Sequence, residues 1–219
     1  MAGSPIATIS SVIVVDFDGT ITEHDTLVDI VQAHAPDVFW QLEDDLEAGR
    51  ITLHECIERE FAAVRGEHDQ IVAEALAGAR VRRGFAEFAA AARAGGHRLV
   101  VVSSGFESII RPVLEQAGVA EVEVVAHEVR FSPQGSTVEF RHGEDCEVCG
   151  QECKRSVVHS LDGGGGDVVY IGDGFSDRCG AMAADRVFAR RELARYLSDE
   201  GIAFEPFDDF VEIGAALGF

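Results

Sequence analysis

The chain has 219 residues, 47% of them apolar and 26% charged, which fits a soluble globular protein with one substantial domain and room for a small satellite. Its formal net charge is −21, a surface that repels nucleic acid and anionic membranes, so neither is an expected partner. Any phosphate site must therefore build its own local positive field. The N-terminus lacks a basic stretch followed by an apolar one, and no segment approaches membrane-spanning length, so a cytoplasmic location is expected. The oligomeric state stays open, a homodimer being one option.

Residues 12–15 are β-branched and uncharged, as in a central strand buried on both faces, and they run into Asp16-Phe17-Asp18-Gly19-Thr20. Adjacent carboxylates raise each other's pKa unless a cation offsets the repulsion. The carboxyl end of a strand in an open α/β sheet is also where ligands bind. A metal-assisted site is the expectation here. The plain alternative is an Asp-rich turn with Gly19 as its turn residue.

Helical patterning follows. Residues 25–35 carry Leu27, Ile30 and Val31 at helical spacing, and Pro36 opens a second helix that Gly49 ends. Thr52 and Glu55 form a capping-box pair for a third helix, and 70–77 is a fourth. Helices without intervening strands indicate a bundle inserted into an α/β domain. Beyond it, 85–94 predicts a helix stopped by Gly95-Gly96, and 98–102 a buried strand ending in Ser103-Ser104-Gly105. Residues 107–117 predict a helix that Pro112 kinks or delays. The segments 122–131 and 137–141 flank a turn and read as a β-hairpin. A helix over 154–161 and a glycine-rich connection over 163–166 precede a strand over 168–171, which ends in Gly172-Asp173-Gly174. A helix starts at Ser176 or Asp177, and a short strand at 187–189 and a closing helix at 208–217 complete the chain.

Three apolar strands thus end in polar residues: Asp16 and Asp18, then Ser103 and Ser104, then Asp173 and Asp177. In a parallel sheet these groups converge on one rim. Carboxylate oxygens with an open face suit Mg²⁺, which keeps waters for a phosphate. Ser103, Ser104 and Gly105 ahead of a helix supply a hydroxyl and backbone N–H groups for an anion, with Gly105 allowing close approach. Among 18 basic residues Lys154 is the single lysine, which points to a place where a compact ammonium is needed and a planar fork does not fit. A chance surface survivor is the alternative. Together these parts fit phosphoryl transfer, in which catalysis is mostly positioning and charge neutralisation.

Asp16-Phe17-Asp18-Gly19-Thr20, Ser103, Lys154 and Gly172-Asp173-Gly174-Phe175-Ser176-Asp177 resemble, in order, the four motifs of the haloacid dehalogenase superfamily. The helical insertion after the first motif is similar to the cap of its phosphoserine-phosphatase-like subgroup. The segments 151–159 and 187–190, with Asp208-Asp209-Phe210, resemble the methionine-salvage enol-phosphate phosphatases within that subgroup. A cysteine-containing loop before the motif lysine also occurs in phosphocholine/phosphoethanolamine phosphatases. The resemblance implies an α/β fold: a Rossmann-like three-layer core with a mainly parallel sheet, an inserted small α-helical cap and a β-hairpin. The core would comprise 1–21 and 84–219, and the cap 22–83.

The resemblance also implies roles. Asp16 would be the nucleophile that forms an aspartyl-phosphate, and Asp18 the acid that protonates the leaving oxygen and then activates water. Mg²⁺ would be held by Asp16, Asp173 and the backbone carbonyl of Asp18, with Asp177 orienting a metal-bound water. Ser103 and Lys154 would hold the phosphoryl oxygens. The substrate would be a small phosphorylated metabolite: the methionine-salvage enol-phosphate first, phosphoserine or phosphocholine/phosphoethanolamine next. A phosphoryl transferase and a non-catalytic phosphometabolite-binding regulator are the rivals, but a binder needs no acid at Asp18. Substrate choice is assigned to the cap through Asp25, which falls where phosphoserine phosphatases carry a longer acid, and through Glu23 and Arg82. The run Arg80, Arg82, Arg83 reads equally well as a solvated hinge.

Cys146, Cys149 and Cys153, with His142 four residues before the first, have spacing compatible with a Zn²⁺ loop. A loop of reduced thiols is the alternative. Cys56 and Cys179 read as small apolar helix residues.

Overall fold

The computed structural model describes residues 11–141, 143, 145–161 and 166–219. In chain order the strands are β1 (Ser11–Val15), β2 (Arg98–Phe106), β3 (Glu123–Arg130), β4 (Thr137–Glu139), β5 (Asp167–Gly172), β6 (Arg186–Ala189) and β7 (Glu205–Pro206). They form one sheet of order β4-β3-β2-β1-β5-β6-β7. Every pairing is parallel except β3 with β4, which are the expected hairpin. The chain lays strands on one side of β1 and then crosses to β5 on its other side. The carboxyl ends of β1 and β5 therefore border a topological switch point, where an α/β sheet leaves a crevice.

The helices are α1 (Thr26–His34), α2 (Pro36–Glu47), α3 (Leu53–Ala63), α4 (His68–Gly78), α5 (Phe85–Ala94), α6 (Glu107–Gln116), α7 (Lys154–Leu161), α8 (Arg178–Ala181), α9 (Arg191–Asp199) and α10 (Phe210–Leu217). Alternation along β1 sends Ile13 and Val15 to one face, where they meet Phe85 and Phe88 of α5, Ile110 of α6 and Phe210 of α10. Val12 and Val14 point to the other face, toward Val158 of α7, Ala181 of α8 and Leu193 of α9. This is the three-layer arrangement expected of a strand apolar on both faces. Each such side chain contributes about 1.5–3 kcal/mol by leaving water. Among the described residues no helix is long and apolar enough to cross a membrane.

Between β1 and α5 the chain leaves the sheet, forms α1 to α4 and returns at an antiparallel bridge between Thr22 and Val81. These helices enclose a cluster of their own around Phe61, Val64 and Ile71, which continues onto Phe106, Ile109 and Phe131 at the sheet edge. Local signals account for their ends. Asp25 accepts from the N–H groups of Leu27 and Val28, Pro36 occupies the first turn of α2, and Thr52 and Glu55 make the reciprocal capping box.

Elsewhere the structure departs from the sequence reading. β2 does not stop at residue 102 but runs to Phe106, re-pairing with β3 across a register shift between Val102 and Phe106. Ser103, Ser104 and Gly105 are therefore irregular strand-end residues rather than a loop before a helix. α6 starts at Glu107 and continues through Pro112, held by the buried face of Ile109, Ile110, Val113 and Leu114. α9 and β7 carried little sequence signal: α9 buries two residues, Leu193 and Leu197, and β7 consists of Glu205 and Pro206. Most of the 163–166 connection lies outside the described residues.

Candidate active site

β1 delivers Asp16 to the switch-point crevice, where its N–H donates to the carbonyl of Ile171 at the end of β5 (2.9 Å). A tight turn over Phe17–Ile21 follows, with Gly19 at φ +74°. A Cβ at Gly19 would stand 2.3 Å from the Asp173 carboxylate, so glycine is required by the close approach as well as by the left-handed backbone. Arg82 holds this turn from behind. Its guanidinium donates to the carbonyls of Thr20 (2.7 Å), Gly19 (2.8 Å) and Thr22 (3.0 Å).

Lys154, the first residue of α7, is 1% exposed and donates to Asp16 and, at 2.7 Å, to Asp177. The hydroxyl of Tyr170 donates to the same Asp177 oxygen (2.8 Å), while the N–H groups of Asp173 and Gly174 donate to the other (both 2.9 Å). Thr20 donates to Asp173 at 3.0 Å. Burial favours a neutral lysine, but Asp16 and Asp177 outweigh it and push the Lys154 pKa up, so the ammonium is kept. Burial, then the Asp177 charge, raises Asp16 well above the usual carboxylate range, against the pull of Lys154. The same two causes raise Asp173 to about 6.

One ammonium among buried carboxylates leaves an excess of negative charge. Oxygens of Asp16, Asp173 and Asp177 all lie within 4.8 Å of one another, an all-oxygen donor set that fits a small hard cation such as Mg²⁺. Each Asp177 oxygen already accepts two hydrogen bonds, which leaves Asp16 and Asp173 with the free lone pairs.

Asp18 lies on the cap side. One of its oxygens accepts from the N–H (2.8 Å) and the hydroxyl (2.6 Å) of Thr26, the first residue of α1. Burial, reinforced by Asp25, pushes Asp18 up to about 8 despite those bonds, which favours the protonated carboxyl that a proton donor needs. Its other oxygen faces Gly105, where a Cβ would come within 2.9 Å of it and 3.1 Å of the Ser103 hydroxyl. Gly105 donates its N–H to Ser103 at 2.9 Å, so this cradle is built from a strand end and not from a helix N-terminus.

A cleft of about 590 Å³ opens onto Asp16, Asp18, Ser103, Ser104, Gly105 and Asp173. Its cap wall carries Asp25, Glu43, Cys56 and Glu60 beside Leu27, Val28 and Ile57, and its core wall carries Arg191, Glu192 and Arg195. Glu23 and Arg82 are not among the lining residues. Arg82 braces the turn after Asp16 through carbonyls, a structural task that its place in a basic run did not disclose. Arg191 lies 3.6 Å from Asp173 and adopts φ +46°, a strained value for a residue with a side chain. Burial raises Glu60 to about 8, with Glu43 and Asp25 adding, and one Glu60 oxygen is buried without a hydrogen-bond partner. Thr26, Tyr170, Glu43, Glu60 and Arg191 escape sequence reasoning because no local motif marks them. His142 lies outside the described residues.

The model of the haloacid dehalogenase-like hydrolase family matches residues 13–182. The chain belongs to this family. It is 30% identical to 2-hydroxy-3-keto-5-methylthiopentenyl-1-phosphate phosphatase of Bacillus cereus over 92% of this chain and 93% of that protein. To the protein of the same name from Geobacillus kaustophilus it is 34% identical, over 92% and 93% respectively. Among solved structures it resembles a phospho-aspartyl intermediate analogue of phosphoserine phosphatase, with a TM-score of 0.72 at 16% identity over 95% of this chain and 99% of that one. Phosphoserine phosphatase from T. onnurineus superposes with a TM-score of 0.69 at 17% identity, covering 97% and 96%. These structural likenesses extend across core and cap alike. Family and buried aspartate cluster together make the chain an enzyme, a hydrolase of the phosphatase type.

Proposed function

We propose that the protein hydrolyses a small phosphomonoester with the help of Mg²⁺ through a phosphorylated Asp16. The observation that carries this reading is the buried trio of Asp16, Lys154 and Asp177 beside Asp18, a second buried carboxyl held by Thr26 at the switch-point rim. Asp16 attacks phosphorus and forms an acyl phosphate; Asp18 donates its proton to the departing alkoxide. In the second step Asp18 takes a proton from the water that attacks the acyl phosphate, and inorganic phosphate leaves. Lys154 stabilises negative charge on the phosphoryl oxygens, and Ser103 and the Ser104–Gly105 backbone hold them in line. Mg²⁺, held by Asp16, Asp173 and the Asp18 carbonyl, would supply charge neutralisation and a template for the transferred group. Asp177, fixed by its four donors, orients Lys154. Residues 22–83 act as a cap that covers the cleft, and the Thr26 bonds to Asp18 tie the acid to it.

Replacing the acid gives a graded result. Asp18→Asn lowers kcat/KM, which reports the phosphorylation step, by about 10²–10⁴-fold on an alkyl phosphate and by much less on an aryl phosphate, whose leaving group needs no proton. Equal losses on both would remove Asp18 as the acid.

Of the substrate classes, the methionine-salvage enol-phosphate is supported first, by the names of the curated relatives. A second reading, a phosphomonoester bearing an amine such as phosphoethanolamine, phosphocholine or phosphoserine, rests on Asp25, Glu43 and Glu60 in the cap wall and on the unpartnered Glu60 oxygen. The test is kcat/KM on all four compounds with and without Mg²⁺. A tenfold preference for the enol-phosphate supports the first reading and the reverse preference the second. No turnover of any of them, nor of a generic aryl phosphate, would end the phosphatase reading.

Glu60 has a further measurable consequence. The folded protein keeps its proton up to about pH 8, whereas the unfolded chain releases it near 4.5, so stability falls as pH rises through that window. The effect is on the order of a few kcal/mol at most. Glu60→Gln should match the wild-type melting temperature at pH 5 and exceed it at pH 8.5. Parallel melting curves across this range would show that Glu60 is not buried as described.

A further inference from the structure

The loop before Lys154 holds a second constellation that the phosphatase reading does not use. The sulfurs of Cys146, Cys149, Cys153 and Cys179 all lie within 4.8 Å of one another. Three of these residues come from the loop and the fourth from α8, so the grouping is tertiary. The spacing of Cys146, Cys149 and Cys153 suggested a zinc loop with His142; the structure supplies a fourth sulfur from Cys179, which does not behave as an apolar helix residue. All four are unbridged thiols.

The local backbone is shaped around sulfur. Cys146 and Cys149 flank a tight turn closed by the Gly150 N–H donating to the Cys146 carbonyl (2.7 Å), and the Cys146 N–H donates to the Gln151 carbonyl (2.9 Å). The Val148 N–H points at the Cys146 sulfur (3.4 Å), a contact that strengthens when sulfur carries negative charge. An antiparallel bridge between Asp145 and Glu152 pins the base of the turn. Arg178, next to Cys179, lines one cavity of about 220 Å³ with Cys149, Cys153 and Cys179, and its Nε is buried without a partner. The half-buried Arg178 guanidinium pairs with Glu192 through Nη2 and turns its unpartnered Nε inward, placing positive charge beside the sulfur cluster.

We propose that Cys146, Cys149, Cys153 and Cys179 bind one zinc ion as four thiolates, fastening the loop before Lys154 to the helix after Asp177. Each thiol releases its proton to solvent on binding and no electrons move, leaving a tetrathiolate of charge −2. Zinc–sulfur bonds of about 2.3 Å give a tetrahedron with sulfur–sulfur edges of about 3.8 Å, compatible with the grouping. Soft sulfur donors select zinc over Mg²⁺, whose all-oxygen site lies at the aspartates. Cys153 directly precedes Lys154, and Cys179 follows Asp177 by two residues. The ion therefore braces both partners of the Lys154–Asp177 pair from outside the cleft. It is a positioning device and touches no substrate.

The test is metal content of the full chain, purified without chelator, together with cobalt substitution. About one zinc per chain is expected in wild type and in Asp16→Asn, and less than a tenth of that in Cys149→Ser and Cys179→Ser. Cobalt-loaded wild type should show the visible bands of a tetrahedral tetrathiolate, a readout independent of whether a serine variant folds. Zinc-reconstituted wild type without stoichiometric metal, or a Cys179→Ser variant that keeps its zinc, would overturn the proposal. Because metal content is read without turnover, the result stands apart from the fate of the phosphatase reading.

Discussion

Asp16→Asn should abolish turnover, by about 10⁴-fold or more, while the protein melts cooperatively at or above the wild-type temperature. The amide cannot form the acyl phosphate, so what remains is whatever positioning by Lys154, Ser103 and the Gly105 backbone can do for direct attack by water. The stability half of the expectation follows from the charge balance. Asp16 is 4% exposed, and burial together with Asp177 raises its pKa well above normal, so the ionised form is held at a cost. A neutral isostere removes that cost and leaves Lys154 paired with Asp177 at 2.7 Å. Steady-state assays and a thermal melt on one preparation check both halves. Retained turnover would remove Asp16 as nucleophile.

Lys154→Met should act in the opposite sense on stability. Removing the ammonium leaves Asp16 and Asp177 facing each other without their shared cation, and breaking a buried ion pair in this way costs about 3–5 kcal/mol. The loss is larger at pH 8 than at pH 5, because Asp16, whose pKa burial and Asp177 already raise, can take up a proton at the lower pH once Lys154 is gone. Lys154→Arg should not rescue either stability or activity: a planar fork cannot replace one ammonium between two carboxylates in a space that leaves the side chain 1% exposed. A denaturation midpoint unchanged in Lys154→Met would show that the trio contributes nothing to the fold.

The parts of the site that were legible are those with a local signature. A β-branched strand ending in two aspartates, a lone lysine and a Gly-Asp-Gly turn each announce themselves within a few residues, and the parallel sheet brings them to one rim. What escaped is tertiary. Thr26 is unremarkable in sequence and becomes the partner of Asp18 because α1 begins against the turn over Phe17–Ile21. Tyr170 looks like one more apolar strand residue, yet its hydroxyl fixes Asp177. Arg82 sat in a basic run that suggested either substrate contact or solvated hinge, and its carbonyl partners show a third use. Cys179 had no cysteine at metal-ligand spacing beside it, so its company in the sulfur cluster depended on where α8 packs. The strand-end placement of Ser103 to Gly105 was hidden for a related reason: pairing with β3 extends β2 past the last apolar residue of its run.

The most direct test of the account is to quench the enzyme with acid during turnover and map the phosphoryl group by peptide mass spectrometry. A labile phosphoryl group on the peptide carrying Asp16, absent in Asp16→Asn and accumulating in Asp18→Asn with an aryl phosphate, is the predicted result. A phosphoryl group on another residue of an enzyme that turns over would contradict the central claim.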